Sequence, residues 1–268
     1  MCDTCGCSVT GANAHLIEVD GPLAKVRGHE SVLLLQGLLS ENDRVAEHNR
    51  MHFDEQGVLA VNLMSSPGAG KTSLLERTIE ALGPTARIAV IEGDLATEND
   101  ARRIRAKGVP AVQITTGSAC HLDAHMVHDA LHALALAGLD YVFIENVGNL
   151  VCPASFDLGQ HVNAILLSTP EGDDKPQKYP VMFRAADVML LAKSDLLPLM
   201  PEFDPARAEA SLRALGSAAP LMRLSSRSGE GIGQWIGWLA GELSARRERG
   251  AFGRSRPAES TPETWARE

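Results

Sequence analysis

The stretch "VNLMSSPGAGKTSLL" constrains this chain more than any other. An apolar run precedes it, Gly68 and Gly70 bracket a tight turn, Lys71 and Thr72 come next, and a Leu-rich amphipathic run follows. That order reads as strand, glycine loop, helix, the phosphate-loop pattern, with Ser65 standing where the first glycine usually sits. A chance glycine-rich turn is the rival reading, and the flanking elements argue against it. Glycines let successive N–H groups turn toward phosphate oxygens, and the positive end of the following helix adds to them. Lys71 is placed to reach the β- and γ-phosphates and Thr72 to hold Mg²⁺. Ser66, Gly68, Ala69, Gly70 and Ser73 complete the expected nucleotide contacts.

Around this loop the chain alternates between strand-like and helix-like runs. "GVLAVNLM", "ARIAVIEGD", "AVQITTG", "DYVFIENVG", "NAILLSTPE", "VMLLAKSD" and "PLMRLSS" are short, continuous and apolar, as strands buried on both faces are. Helical spacing over Glu30 to Met51 predicts one long N-terminal helix, "HLDAHMVHDALHALALAG" predicts another, and a last helix is expected around Gly231 to Arg249. Strands alternating with helices imply βαβ units. The expected fold is α/β, a P-loop NTPase with a mainly parallel sheet flanked by helices. Residues 29–249 would form that domain, with a flexible metal-binding tail at 1–28 and a polar, disordered tail at 250–268.

A net charge of −9 excludes the basic stripe of a nucleic-acid binder. No apolar run approaches the ~18 residues of a membrane span, and no secretory signal opens the chain. A cytoplasmic protein is expected. There, clustered cysteines serve as metal ligands or redox groups rather than disulfides.

The base is read from the strand end "AKSD". A carboxylate at Asp195 can accept from N1 and the exocyclic N2 of guanine, a pair adenine lacks. The stem of Lys193 can lie along the base. Ala192 stands where the GTPase motif usually has Asn, which removes a side chain that braces the loop. "RLSSRSGEG" resembles the last GTPase loop, with Ser225 or Ser226 behind the base. Asp94 and Glu145 each end an apolar run on the phosphate side. They are candidates for Mg²⁺ or water positioning, and the alternative for each is a capping or solvated acid at a strand end.

Sulfur is concentrated at the start. Cys2, Cys5 and Cys7 form C-x₂-C-x-C, which lets three thiolates converge, with the α-amine available as a fourth ligand. Such a set suits square-planar Ni²⁺ or tetrahedral Zn²⁺, and a redox cluster is the alternative. Inside the domain, Cys120 and His121 are adjacent in "TTGSACH" and Cys152 follows "IENVGNLV". Neighbours on a helix face apart, so Cys120 and His121 share an ion only if they lie in a loop. A water, His125 or a twofold mate would complete the set, and the alternative is two small buried cysteines. His121, His125, His128 and His132 recur at helical spacing, as a metal-collecting stripe would; the alternative, favoured for His128 and His132, is a solvated face.

Taken together, "CDTCGC", "SSPGAGKT", "EGDLATENDARR", "TGSACHLDAHMV", "IENVGNLVCPASFDLG" and "AKSD" resemble the HypB family of hydrogenase nickel-incorporation GTPases, from the first residues to about residue 245. The resemblance implies a GTP-dependent nickel metallochaperone of [NiFe]-hydrogenase maturation; with no obvious arginine finger or attacking-water glutamine in the chain, its GTP hydrolysis is expected to be slow. It implies a tight nickel site at Cys2, Cys5 and Cys7, and a weaker nickel or zinc site at Cys120, His121 and Cys152 in a nucleotide-dependent homodimer. A zinc-containing HypA-like accessory protein and the hydrogenase large-subunit precursor are the implied partners. The rivals are a related G-protein chaperone for urease or a cobalamin enzyme, a small-molecule P-loop kinase, and a plain metal store.

Overall fold

In a computed structural model, the structure describes residues 29–94, 99–117 and 119–254, with side chains from residue 38 to residue 249. Seven strands make one parallel sheet: β1 (Leu59–Ser65), β2 (Ile88–Asp94), β3 (Ala111–Thr115), β4 (Tyr141–Glu145), β5 (Val162–Ser168), β6 (Val188–Ala192) and β7 (Leu221–Arg223), in the order β3-β2-β4-β1-β5-β6-β7. Each lies within a run singled out above, apart from one added residue in β1 (Ser65) and one in β5 (Val162). The helices are α1 (His29–Gln56), α2 (Lys71–Leu82), α3 (Asn99–Arg105), α4 (Ala124–His132), the short turns α5 (Lys175–Lys178) and α6 (Pro180–Arg184), α7 (Pro205–Ala214) and α8 (Ile232–Arg254).

Both faces of the sheet are covered, which is why its strands are mostly apolar. Side chains alternate along β1: Leu59, Val61 and Leu63 meet α2 and α8 on one face. Val58 and Ala60 meet α1 and α4 on the other. A third apolar cluster joins Met64 and the β5–β6 region to α6 and α7. Trp235 of α8 is fully buried, and its indole N–H donates to Thr78 Oγ1 of α2 at 3.0 Å.

Helix ends differ from expectation in three places. α1 continues past Met51 to Gln56, because Phe53 still packs into the core before Gly57 (φ 65°) turns the chain into β1. α8 continues past Arg249 to Arg254. α4 is half as long as its sequence suggests. Asp123 caps its start, accepting from Met126 N at 2.8 Å, but after His132 the residues Leu134, Leu136 and Leu139 turn to the core from an irregular segment leading into β4. Apolar spacing there reflects packing rather than helix.

Parallel pairing puts β1, with the phosphate loop at its end, at the centre of the sheet. Its neighbours β4 and β5, and β2 beyond β4, all end on the same side. Their carboxyl ends, with the loops that follow, converge around the phosphate loop.

Candidate functional site

The turn after β1 adopts the geometry its glycines permit. Gly68 (φ 74°) and Gly70 (φ 109°) both take left-handed backbone, and α2 starts at Lys71 immediately after. Lys71 is buried and bonds Ser65 Oγ at 3.2 Å. The hydroxyl of Ser66 is buried without a hydrogen-bond partner. Two adjoining clefts of about 480 and 560 Å³ meet at Gly70, Ser73 and Lys193. Each is of ligand-pocket size.

The first cleft is lined by Gly68, Lys71, Thr72 and four acids: Glu92, Asp94, Asp100 and Glu145. Thr72 Oγ1 donates to Glu145 Oε1 at 2.9 Å. Glu145 faces Glu92 across the parallel register of β2 and β4. Carboxylate oxygens of Glu92, Asp100 and Glu145 lie within 4.8 Å of one another. Burial lifts both glutamates above the usual carboxylate range; Glu145 raises Glu92 further, while Lys71 pulls Glu145 back down. One oxygen of each, Oε2, is buried with no partner. Orphaned acceptors beside a threonine hydroxyl are the donor set a hard divalent cation such as Mg²⁺ takes. Asp94 lines this cleft but is outside that close group; Glu92 and Asp100 occupy it instead. In the sequence Glu92 is simply an acid in an apolar strand, and only strand register brings it to Glu145.

The second cleft is lined by Ala69, Ala192, Lys193, Asp195, Ser225 and Ser226, among others. Ser225 Oγ donates to Asp195 Oδ1 at 2.6 Å and so aims the carboxylate. Lys193 has positive φ (56°), and its ammonium donates to Gly68 O at 2.7 Å, so it spans from the base side to the phosphate loop. The bracing that Ala192 lacks comes from Thr169, whose hydroxyl bonds the carbonyls of Ala192 (3.3 Å) and Lys193 (3.0 Å). Thr169 was not legible as a site residue because it follows a different strand.

The candidate metal-ligating set also assembles. Cys120 and His121 lie in the loop between β3 and α4, as sharing an ion requires, and Cys152 opens a 3₁₀ turn after β4. Ligand atoms of Cys120, His121 and Cys152 lie within 4.8 Å of one another. His121 is buried, stacked on Phe156 at 4.0 Å between ring centroids, and burial lowers its pKa, which favours the neutral ligand form. Three donors leave one tetrahedral position open. His125 is not in this group; it faces Glu41 at 3.9 Å. Cys2, Cys5 and Cys7 lie outside the described residues.

One segment joins the two sites. Glu145 reaches Thr72, Gly148 packs on Pro67, and Cys152 carries the thiol. Between them Asn146 Oδ1 accepts from Leu122 N at 3.3 Å, and Asn149 Nδ2 donates to Cys120 O at 3.2 Å. Neither asparagine was singled out in the sequence, because the backbone group each one bonds lies on a different loop. Among the described residues no helix is long and apolar enough to cross a membrane.

Residues 59–223 match the family model described as "CobW/HypB/UreG, nucleotide-binding domain". Over 211 residues the chain is 54% identical to the hydrogenase maturation factor HypB of Azotobacter vinelandii, covering 79% of this chain and 69% of the relative. The crystal structure of HypB from Helicobacter pylori in complex with nickel superposes with a TM-score of 0.73 at 41% identity, over 78% of this chain and 96% of that one. HypB from Archaeoglobus fulgidus gives a TM-score of 0.71 at 40% identity, over 76% and 100%.

Proposed function

As the chain belongs to the HypB hydrogenase maturation factors of the CobW/HypB/UreG family, we propose that it is a GTP-gated switch that carries Ni²⁺ and hands it to the large subunit of a [NiFe]-hydrogenase. The observation that carries this reading is the segment from Glu145 to Cys152, which touches a nucleotide cleft at one end and a soft-ligand set at the other. A kinase would have no use for that link, and a metal store none for the phosphate loop.

In this reading the amides of residues 66–73 and the Lys71 ammonium bind the β- and γ-phosphates of GTP. Asp195, held by Ser225, accepts from N1 and N2 of guanine, and Lys193 covers the base while tying its loop to Gly68. Thr72 and Glu145, with Glu92, Asp100 or Asp94, would hold Mg²⁺, which when bound neutralises developing phosphate charge. The sequence supplies no evident arginine finger or water-positioning glutamine, so hydrolysis to GDP and phosphate is slow. Nickel is cargo: Cys120, His121 and Cys152 bind it, with Zn²⁺ as a competitor for the same donors. Their open position suits a ligand from a second copy in a nucleotide-dependent dimer, or from a HypA-like accessory protein. Cys2, Cys5 and Cys7 form a second, tighter site.

The test is nickel affinity at the Cys120 site, measured on a Cys2, Cys5, Cys7→Ser chain loaded with a non-hydrolysable GTP analogue or with GDP. The proposal expects affinities at least fivefold apart; equal affinities would remove the gate.

A further inference from the structure

Four histidines gather on the outside of the domain, away from both clefts. His48 and His52 lie one turn apart on α1, and His128 and His132 one turn apart on α4, which packs against it. Residues at i and i+4 share a helix face, so two helices present two imidazole pairs to each other. Ring centroids are 4.5 Å apart for His48 and His52, 5.0 Å for His48 and His128, and 4.7 Å for His128 and His132.

We propose that His48, His52 and His128, with His132 beside them, form a separate transition-metal site that takes Ni²⁺, Zn²⁺ or Cu²⁺ through imidazole nitrogens. One ligand nitrogen from each of the first three lies within 4.8 Å of the others. The Nε2 atoms of His128 and His132 are 3.2 Å apart. Two nitrogens bound tetrahedrally at ~2.0–2.1 Å from one ion stand about 3.3 Å apart. His48 is exposed and His52 half-buried, so their rotamers have room to close the remaining gap.

The protonation state of His128 is set from behind. Asn49 is fully buried, and its amide nitrogen donates to Ala124 O at 2.8 Å and Leu158 O at 3.1 Å. Its Oδ1 is therefore turned toward His128 Nδ1, at 2.9 Å, and can only accept. Nδ1 must carry the proton, which leaves the Nε2 lone pair of a neutral ring facing the cluster. A ligating histidine whose other nitrogen donates to a fixed acceptor is the usual support for metal binding. Burial and the neighbouring histidines also lower the pKa of His128. A purely solvated face has no need of a buried amide to orient one of its rings, and packed imidazoles repel once protonated.

The experiment uses the full-length chain without an affinity tag, with Cys2, Cys5, Cys7, Cys120 and Cys152 changed to Ser. Equilibrium dialysis against Ni²⁺ or Zn²⁺ should find one bound equivalent. His48→Gln with His52→Gln, on the accessible face of α1, should weaken it more than tenfold with the melting temperature unchanged. His48→Gln alone, fully on the surface, should weaken it measurably and serves if the pair unfolds. Bound Cu²⁺ should show nitrogen couplings in its electron paramagnetic resonance spectrum that these changes reduce. No binding below about 1 mM in the cysteine-free chain, or an equivalent indifferent to His48 and His52, would overturn the site.

Discussion

His161 shows how one residue can govern acid stability. Its Nδ1 accepts from Ala60 N at 3.1 Å, and its Nε2 lies 3.3 Å from Asp54, which Arg246 grips through two bonds. Burial, followed by the charge of Arg246, pulls the imidazole pKa down to about 4, against the opposing pull of Asp54. The unfolded chain binds a proton near pH 6.5, whereas the folded one does not until about pH 4. Stability from this residue is therefore intact above pH 6.5 and is lost as pH falls from there toward 4, by about 2 kcal/mol at pH 5. Urea unfolding at pH 7.5 and 5.0 should show His161→Gln losing about 2 kcal/mol less than the native chain between the two. An identical loss in both would mean that the folded state protonates His161 freely. The candidate site divides along a similar line. Lys71, Thr72 and Asp195 were legible because each sits in a local motif whose spacing is its chemistry. Glu92, Asn146 and Thr169 were not, because their partners are set by strand register and not by nearby sequence.

Among elements, the seven strands were readable because double burial makes each an unbroken apolar run. The region between β5 and β6 was not: Pro170, Pro176 and Pro180 break it into turns too short for a periodic signal. His128 and His132 show a related limit of local spacing. Their spacing was visible, but the α1 histidines that face them are some eighty residues away, and no local pattern announces that pairing. The segment after β4 is the element on which the proposed gating depends, and it can be tested by size alone. A Cβ on Gly148 would come within 2.8 Å of Pro67 Cα and 3.0 Å of Pro67 N, backbone atoms that cannot step aside cheaply. Overpacking of this kind costs about 1–3 kcal/mol. Gly148→Ala should therefore weaken binding of a fluorescent GTP analogue by about tenfold, while far-UV circular dichroism stays native. Unchanged affinity would show that the phosphate loop and this segment move independently.

At the scale of the molecule, a gate is a coupling free energy, and coupling is reciprocal. If GTP strengthens nickel binding at Cys120, His121 and Cys152 by some factor, nickel must strengthen the preference for GTP over GDP by the same factor; tenfold is about 1.4 kcal/mol. The path is short enough to cut. Asn149 reaches Cys120 O from within the segment that begins at Glu145, while Asn146 holds the backbone at Leu122. Asn149→Ala deletes one of these ties without touching a ligand atom or a phosphate contact. The expected result, measured by titrating both ligands in both orders, is that nickel still binds and GTP still binds, but the factor linking them falls toward one. A full factor in Asn149→Ala would shift the route to Asn146 and Leu122. Unequal factors in the two orders would mean a second nickel equivalent is being counted, and the Cys2, Cys5, Cys7→Ser chain carrying His48→Gln and His52→Gln separates that case.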